Sequence, residues 1–188
     1  MAPLVKPDES SPTLGFRRLR RDDFGDLQSW LAAPHVSHWW GAPRDQSAIE
    51  EEYGPIVDGC DPTKVFVVEI SGRPAGMIQT YLLADNPEYE AAVGVKDAAG
   101  VDLFIGEQQL LGKGYGKVIL SMFVTEVGWP TYPGALRYMA GPSVRNVRSR
   151  RTFEAAGFSY LGTVEVPGER DPEVIMVLER PSATQLTT

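Results

Sequence analysis

The sequence has few of the residues that disulfide frameworks and metal centres require. Cys60 is its single cysteine, so no disulfide can form within the chain, and a reducing cytoplasm is the simplest location. His35 and His38 are the only histidines, and with one cysteine they do not make a credible set of metal ligands. We therefore expect a cytoplasmic protein without a metal site.

The chain also has little positive charge and no long apolar run. Its hydrophobic stretches are much shorter than the roughly 20 residues that cross a bilayer, so we expect no membrane partner. The formal net charge is −7 at pH 7, which disfavours nucleic acid as the main partner. An acidic cleft would attract a cationic substrate, although many soluble proteins are acidic for solubility alone.

Residues 14–181 have the pattern of one domain. We expect a disordered lead at 1–13, because this stretch is rich in proline and serine and lacks the apolar core of a signal peptide. A polar tail is expected at 182–188. Apolar periodicity predicts strands at 16–20, 63–70, 75–83, 101–105, 135–140, 158–166 and 174–178, and helices at 22–31, 45–56, 117–127 and 144–156. An aromatic segment at 35–41 and a long polar loop at 85–100 complete the assignment.

This order of elements, βααβββαβαββ, predicts the fold class. Strands and helices in such an order form an α/β (α+β) layer structure. We expect a single-domain, mixed, mostly antiparallel sheet with helices on both faces.

A glycine-rich run, Gln109 to Gly116, separates a predicted strand from a predicted helix. Glycines let the backbone turn its N–H groups towards an anion, and a helix N-terminus adds a partial positive charge. The G-x-G-x-G spacing fits neither the dinucleotide fingerprint nor the P-loop. The run therefore indicates either a phosphate-binding turn of another kind or an ordinary strand-to-helix turn.

The predicted helix at 144–156 carries a second motif. Asn146, Ser149 and Phe153 are spaced so that they share one helical face. The same segment holds four arginines, at positions 145, 148, 150 and 151. They indicate a phosphate site for the far end of a cofactor, or, for at least two of them, a solvated basic face or ion pairs with nearby acids.

Together the two motifs resemble the signature of the GCN5-related N-acetyltransferase (GNAT) superfamily. Gln109, Gly112 and Gly114 match its Q-x-x-G-x-G part, and the segment from Asn146 to Phe158 matches its N-x-x-[AS]-x-x-x-[YF]-E-x-x-G-F part. Residues 16–180 are similar to the aminoglycoside 6'-N-acetyltransferases. That likeness rests on His35-Val36, Trp39-Trp40-Gly41, Gln79 with Tyr81, Val101-Asp102 and the run from Gly112 to Gly116.

This resemblance implies an enzyme that binds acetyl-CoA. It would transfer acetyl to a primary amine of a polycationic small molecule, above all the 6'-amine of an aminoglycoside, by direct attack in a ternary complex. The coenzyme A contacts that it implies are Leu103, Phe104, Ile105, Gln109, Leu111, Gly112, Lys113, Gly114, Tyr115, Gly116, Asn146, Ser149, Arg151 and Phe153. The oxyanion donor would be a backbone N–H near Leu103 or Phe104.

Asp102 is the candidate catalytic residue. An acid is out of pattern inside an apolar strand, and this strand leads to the glycine run. A carboxylate there can bind an ammonium group and relay its proton, and the resemblance implies the same role. The alternative is an outward strand position with access to solvent.

Aromatic and acidic residues form the predicted acceptor site. Its members are Trp39, Trp40, Gln79, Tyr81, Asp85, Glu88 and Asp171, with Glu90, Asp97 and Glu173 as further acids. We expect Trp40 to contact the acceptor and Trp39 to pack. Core aromatics and solvated acids are the alternative interpretation.

Two positions depart from the family pattern. Phe153 stands where the family often has a tyrosine that can protonate the departing thiolate, so Ser149, Tyr115 or water would have to serve. Gly141 stands where relatives tend to have an aspartate before Pro-Ser, which removes one cation contact.

Two alternative functions remain open at this point. One is acyl transfer to a siderophore hydroxylamine or another polyamine, although that branch typically has a histidine where Asp102 stands. The other is a non-catalytic acyl-CoA-binding module, which Phe153 favours. The sequence leaves open whether the protein is a monomer or a homodimer, and whether antibiotic resistance is its physiological role.

Overall fold

The computed structural model describes residues 12–41 and 45–182. The predicted lead and tail lie almost wholly outside these ranges. The strands are β1 (Leu14–Arg18), β2 (Lys64–Ile70), β3 (Arg73–Leu82), β4 (Ala98–Ile105), β5 (Arg137–Ala140), β6 (Ser159–Val164) and β7 (Glu173–Glu179). The helices are α1 (Phe24–Ala32), α2 (Pro34–Trp40), α3 (Gln46–Asp58), α4 (Pro87–Val93), α5 (Tyr115–Phe123), α6 (Trp129–Thr131) and α7 (Val147–Ala155).

The seven strands form one mixed sheet in the order β1-β2-β3-β4-β5-β7-β6. Every neighbouring pair is antiparallel except β4 and β5, which are parallel. The mixed, mostly antiparallel sheet predicted from the sequence is therefore confirmed. No helix in the described ranges is long and apolar enough to cross a membrane.

Helices cover both faces because the strands alternate their buried side chains. Phe66 and Val68 of β2 pack in one cluster with residues of α5 and α7. Val65 and Val67 point the other way, into a cluster with α1, α2 and α3. On that second face α4 packs through Val93 against β5 and β7. The second face thus carries α1–α3 at one end and α4 at the other.

One sequence prediction of loop structure is wrong, and one unassigned segment is helical. The aromatic segment, which the sequence left without an assigned element, forms helix α2, which has Pro34 in its first turn and ends before Gly41. The polar loop predicted at 85–100 contains helix α4 and the first three residues of β4. Asn86 caps α4 by accepting from the Tyr89 N–H, and Gly94 ends it in a left-handed conformation. These are ordinary start and stop signals, which the acidic composition of the segment obscured.

Asp23, directly before α1, forms a largely buried ion pair with Arg17. Only 7% of Asp23 is exposed, and its two carboxylate oxygens each accept a 2.7 Å hydrogen bond from Arg17. The Arg20 N–H donates a further bond of 2.9 Å. Burial alone would raise the pKa of Asp23, but these hydrogen bonds and the charge of Arg17 outweigh it and lower that pKa.

We expect Asp23→Asn to lower the free energy of unfolding by about 2 kcal/mol at pH 7, because Arg17 loses its closest counter-charge. A carboxyl whose pKa is lowered in the folded state contributes its full stabilisation of the folded protein at pH values above its pKa in the unfolded chain, which is about 4. That stabilisation is lost as the pH falls through the folded-state pKa. Urea unfolding of both proteins at pH 7 and pH 3 measures the difference, with the exposed Asp22→Asn as control. A difference that stays constant with pH would contradict this origin.

Candidate active site

A large cleft opens where β4 and β5 part. Their parallel pairing covers three residue pairs only, from Ala98 with Arg137 to Gly100 with Met139. Residues 101–105 remain paired with β3 on the other side. On the β5 side, no strand among residues 12–41 and 45–182 pairs with them beyond Gly100. The cleft has a volume of about 1730 Å³. It is lined by α2, residues 102–105, the glycine loop (residues 110–116 of the glycine-rich run), residues 141–143, α7 and residues 168–173.

The glycine loop forms one end of this cleft. Gly112 and Gly114 adopt φ values of 78° and 83°, a left-handed conformation that side chains with a Cβ rarely tolerate. Gly114 is the N-cap residue of α5, so the loop leads directly into unpaired N–H groups at a helix start. Leu111, Gly112, Gly114, Tyr115 and Gly116 all line the cleft. This arrangement suits a diphosphate.

Arginines of α7 lie across from the loop. A Cβ on Gly112 would lie 3.4 Å from the Arg148 guanidinium, and Arg151 also lines the cleft. The other two arginines of the segment are held by the protein, since Arg145 pairs with Asp171 and Arg150 donates to the Val144 carbonyl. Of these two, only Arg145 has the acidic partner that the sequence allowed for. Arg148, one of the four arginines noted in the sequence, lines the cleft, and so does Lys117, which was not singled out.

Asp102 lies in the middle of the cleft, partly buried on β4. Strand alternation puts it on the sheet face of Phe104, between the α1–α3 cluster and α4. Its partner across the strands is Gln79, whose Nε2 donates a 3.1 Å hydrogen bond to Asp102 Oδ2. Burial raises the pKa of Asp102, while hydrogen bonds from Gln79 and Tyr81 oppose the rise. The carboxylate is thus oriented, half-shielded from water and more basic than usual.

The two tryptophans of α2 both line the cleft, but Trp39, which was expected to pack, is not the one that does. Trp40 packs edge-on against Phe104, with the ring centroids 4.9 Å apart. Trp39 remains 40% exposed and contacts the His38 ring. Consecutive helical residues point about 100° apart, so only Trp40 turns towards the core. The helix is tied to the end of β4 by a 3.0 Å hydrogen bond between His35 and the Ile105 carbonyl.

The second motif places three predicted contacts in the cleft, Asn146, Ser149 and Phe153. Tyr115 at the start of α5 lines it as well. The Oδ1 atom of Asn146 caps α7 by accepting from the Ser149 N–H at 3.0 Å, which leaves its Nδ2 group for a ligand. Phe153 is only 3% exposed and packs on Phe158.

Four predicted contact residues do not line the cleft. Gln109 is exposed and donates to the Glu107 carboxylate at 2.7 Å. Lys113 lies between the two left-handed glycines with its side chain outward. Asp85 lies in the turn before α4, and Glu88 lines a separate cavity of about 240 Å³. The inward position on α4 is occupied by Tyr89 instead, which the loop prediction could not identify.

Two acids complete the cleft near the start of β7. Asp171 is predicted from the sequence to bind an ammonium group, but it already pairs with Arg145 at 3.1 Å and Arg170 at 3.5 Å. Glu173 accepts a 2.8 Å hydrogen bond from the Tyr89 hydroxyl. A Cβ on Gly141 would collide with the Glu173 carboxylate. The glycine at 141 was expected to leave a cation contact missing, yet the structure places the carboxylate of Glu173 in that space.

Comparison with known proteins gives consistent matches. Residues 20–166 match the family model described as an acetyltransferase (GNAT) domain. An aminoglycoside N(6')-acetyltransferase type 1 of Klebsiella pneumoniae is 28% identical over 178 residues, which are 91% of this chain and 85% of the relative. A lysine N-acyltransferase of Mycobacterium tuberculosis is 25% identical over 190 residues, covering 95% and 84%.

A solved structure extends the likeness to the fold. The crystal structure of the aminoglycoside acetyltransferase AAC(6')-Ib with coenzyme A and kanamycin superposes with a TM-score of 0.74 at 27% identity. The alignment covers 89% of this chain and 95% of that one.

Proposed function

The chain belongs to the acetyltransferase (GNAT) domain family, and on that premise we propose that it acetylates a primary amine of a polycationic small molecule. The donor would be acetyl-CoA and the acceptor amine most simply the 6'-amine of an aminoglycoside. The observation that carries this proposal is the position of Asp102. This oriented, partly buried carboxylate lies beside the open edge of β4 and within the same cleft as the glycine loop.

The residues present fit coenzyme A. The left-handed glycines 112 and 114 and the start of α5 would hold its diphosphate, and Arg148 and Arg151 offer charge for a further phosphate. The open main-chain edge at 101–105 could hydrogen-bond to the amide groups of its pantetheine arm. From α7, the Nδ2 group of Asn146 could donate a hydrogen bond to the same arm. When bound, the coenzyme supplies an acetyl thioester, which is open to attack by an amine.

Asp102 would bind the acceptor ammonium and take up its proton. Primary ammonium groups have pKa values well above neutrality, so attack requires a group that removes a proton. The raised pKa of Asp102 makes it a better acceptor than an ordinary aspartate. Gln79 keeps the carboxylate in place, since its side chain donates to Oδ2 and is fixed by the β3–β4 register.

Main-chain N–H groups would stabilise the developing oxyanion. The edge of β4 that faces the cleft has unpaired groups within residues 101–105, and fixed backbone dipoles are effective oxyanion donors. Phe153 cannot donate a proton to the departing thiolate. Tyr115 and Ser149 line the cleft, and either hydroxyl, or water, would serve.

Release of free thiol from acetyl-CoA tests the proposal directly. We would compare kanamycin, tobramycin and a lysine-derived hydroxylamine as acceptors, and measure the shift in melting temperature with coenzyme A alone. Thiol release with the aminoglycosides supports the proposal. Release with the hydroxylamine only would favour the lysine acyltransferase likeness, and a thermal shift without turnover on any amine would favour a binding module.

A further inference from the structure

We propose that Glu173 is a second acceptor-binding carboxylate in the cleft. It would pair with an ammonium group of the acceptor other than the one that is acetylated. This inference rests on the proposed function, and it makes Glu173 a residue that selects acceptors with at least two separated positive charges.

The main chain fixes Glu173 at the inner wall of the cleft. Residues 142–144 pair with residues 172–174 through hydrogen bonds from Val174 N to the Pro142 carbonyl and from Val144 N to the Pro172 carbonyl, both 2.9 Å. This pairing brings the Glu173 side chain over Gly141. The backbone of Gly141 is not left-handed, so what a glycine provides there is space for the Glu173 and Tyr89 side chains. A Cβ would lie 2.8 Å from the Tyr89 hydroxyl and closer still to the Glu173 carboxylate.

The charge environment of Glu173 sets it apart from the acids around it. Asp171 has two arginine partners, and the exposed Lys96 pairs with Glu90 of α4. Within residues 12–41 and 45–182 no lysine or arginine pairs with Glu173. The groups that act on it are the Tyr89 hydroxyl from α4, Asp102 from β4, Tyr81 from β3 and Glu169 from the preceding turn. All of these are acidic or neutral.

A partly buried carboxylate among acids calls for a cation from outside the protein. Burial raises the pKa of Glu173 to about 7; the hydrogen bond from Tyr89 opposes the rise, and the charges of Asp102 and Glu169 add to it. An ammonium group bound beside Glu173 would lower this pKa. Acceptor binding near pH 7 would therefore release a proton from Glu173, and affinity would rise with pH through this region.

Comparing kcat/KM for two acceptors that differ in charge distinguishes binding of a second ammonium group from a role in catalysis. Kanamycin carries several amines, and methyl 6-amino-6-deoxyglucoside carries only the amine to be acetylated. We expect Glu173→Gln to lower kcat/KM for kanamycin about tenfold more than for the monoamine. The Gln side chain keeps the size of Glu and can still accept from Tyr89. Glu126→Gln, which removes the same charge from an exposed position in the π-helical segment Val124–Gly128, outside the cleft, is the matched control.

Proton linkage provides a readout that does not depend on turnover. Calorimetry of kanamycin binding in two buffers of different ionisation enthalpy should show less proton release for Glu173→Gln than for the wild type. A further pair of variants moves the carboxylate from position 173 to position 141. Glu173→Ala removes the closer of the two side chains above Gly141, and adding Gly141→Asp, for which the Tyr89 hydroxyl must shift, should restore part of the preference for kanamycin.

Each outcome has a definite meaning. Equal losses on both acceptors, or no loss on either, would overturn the inference, as would proton release that Glu173→Gln leaves unchanged. If the wild type releases no thiol with either acceptor, the proposed function itself fails, and the inference fails with it.

Discussion

Replacing Asp102 with asparagine is expected to lower kcat/KM for an amine acceptor by about 100-fold or more, while coenzyme A still binds. Asparagine keeps the shape of the side chain but cannot take up a proton or attract an ammonium group. Its contact with Gln79 can persist, because an amide oxygen also accepts the 3.1 Å hydrogen bond. Thiol release measures the loss, and calorimetry with coenzyme A measures the binding. Unchanged turnover would remove Asp102 from the mechanism.

The stability of the same variant separates lost chemistry from lost folding. The pKa of Asp102 is raised in the folded protein, chiefly by burial. The free energy of unfolding then falls as the pH rises from the pKa of this group in the unfolded chain to its pKa in the folded protein. The lost stability is not regained at neutral pH. Asp102→Asn removes this cost, so its melting temperature at pH 8 should equal or exceed that of the wild type. A clear decrease would attribute the lost activity to misfolding.

Replacing Gly114 with valine is expected to raise the dissociation constant of coenzyme A by about 30-fold. A β-branched residue at a φ of 83° strains the backbone by about 1–2 kcal/mol. The backbone can relieve this strain by rotating, which turns the N–H groups at the start of α5 away from the diphosphate. Loss of one charge-assisted hydrogen bond adds about 1.5 kcal/mol or more. Equilibrium binding of coenzyme A to both proteins measures the change.

Gly59→Val is the matched control for this variant. Gly59 has a similar φ of 76°, has open space around it and ends α3 outside the cleft. Both variants carry the same backbone strain, but only Gly114→Val should weaken coenzyme binding. Equal affinities for the two variants would show that the glycine loop does not hold the diphosphate.

The parts that could be predicted from the sequence are those encoded locally. The glycine run lies within a single turn, and Asn146, Ser149 and Phe153 lie at the start and along one helix, so their spacing specifies their geometry. Strand alternation was sufficient to single out Asp102 as an acid in an apolar strand. The sheet followed from the order of β-rich segments, although helix α4 was taken for a loop because its polar surface outweighed the signals of Asn86 and Gly94.

The parts that could not be predicted depend on contacts between distant segments. The approach of Glu173 to Gly141 and Tyr89 joins three segments that are far apart in the chain, and no local pattern specifies it. The neutralisation of Asp171 by Arg145 is of the same kind. Which of Trp39 and Trp40 packs depends on the rotation of α2 against Phe104. Sequence patterns identify the chemical groups, and tertiary packing decides which of them remain available to a ligand.

The short β4–β5 ladder has a consequence for the lifetime of the protein in the cell. In the part of the chain that the structure describes, the ladder between β4 and β5 has three residue pairs, with one further main-chain hydrogen bond from Leu136 to Asp97, so local opening of this seam exposes backbone to proteases. A ligand that fills the gap would bridge both halves and, at 100 times its dissociation constant, add about 2.7 kcal/mol of stability. Enzyme abundance would then follow the supply of its own donor, falling during starvation for coenzyme A.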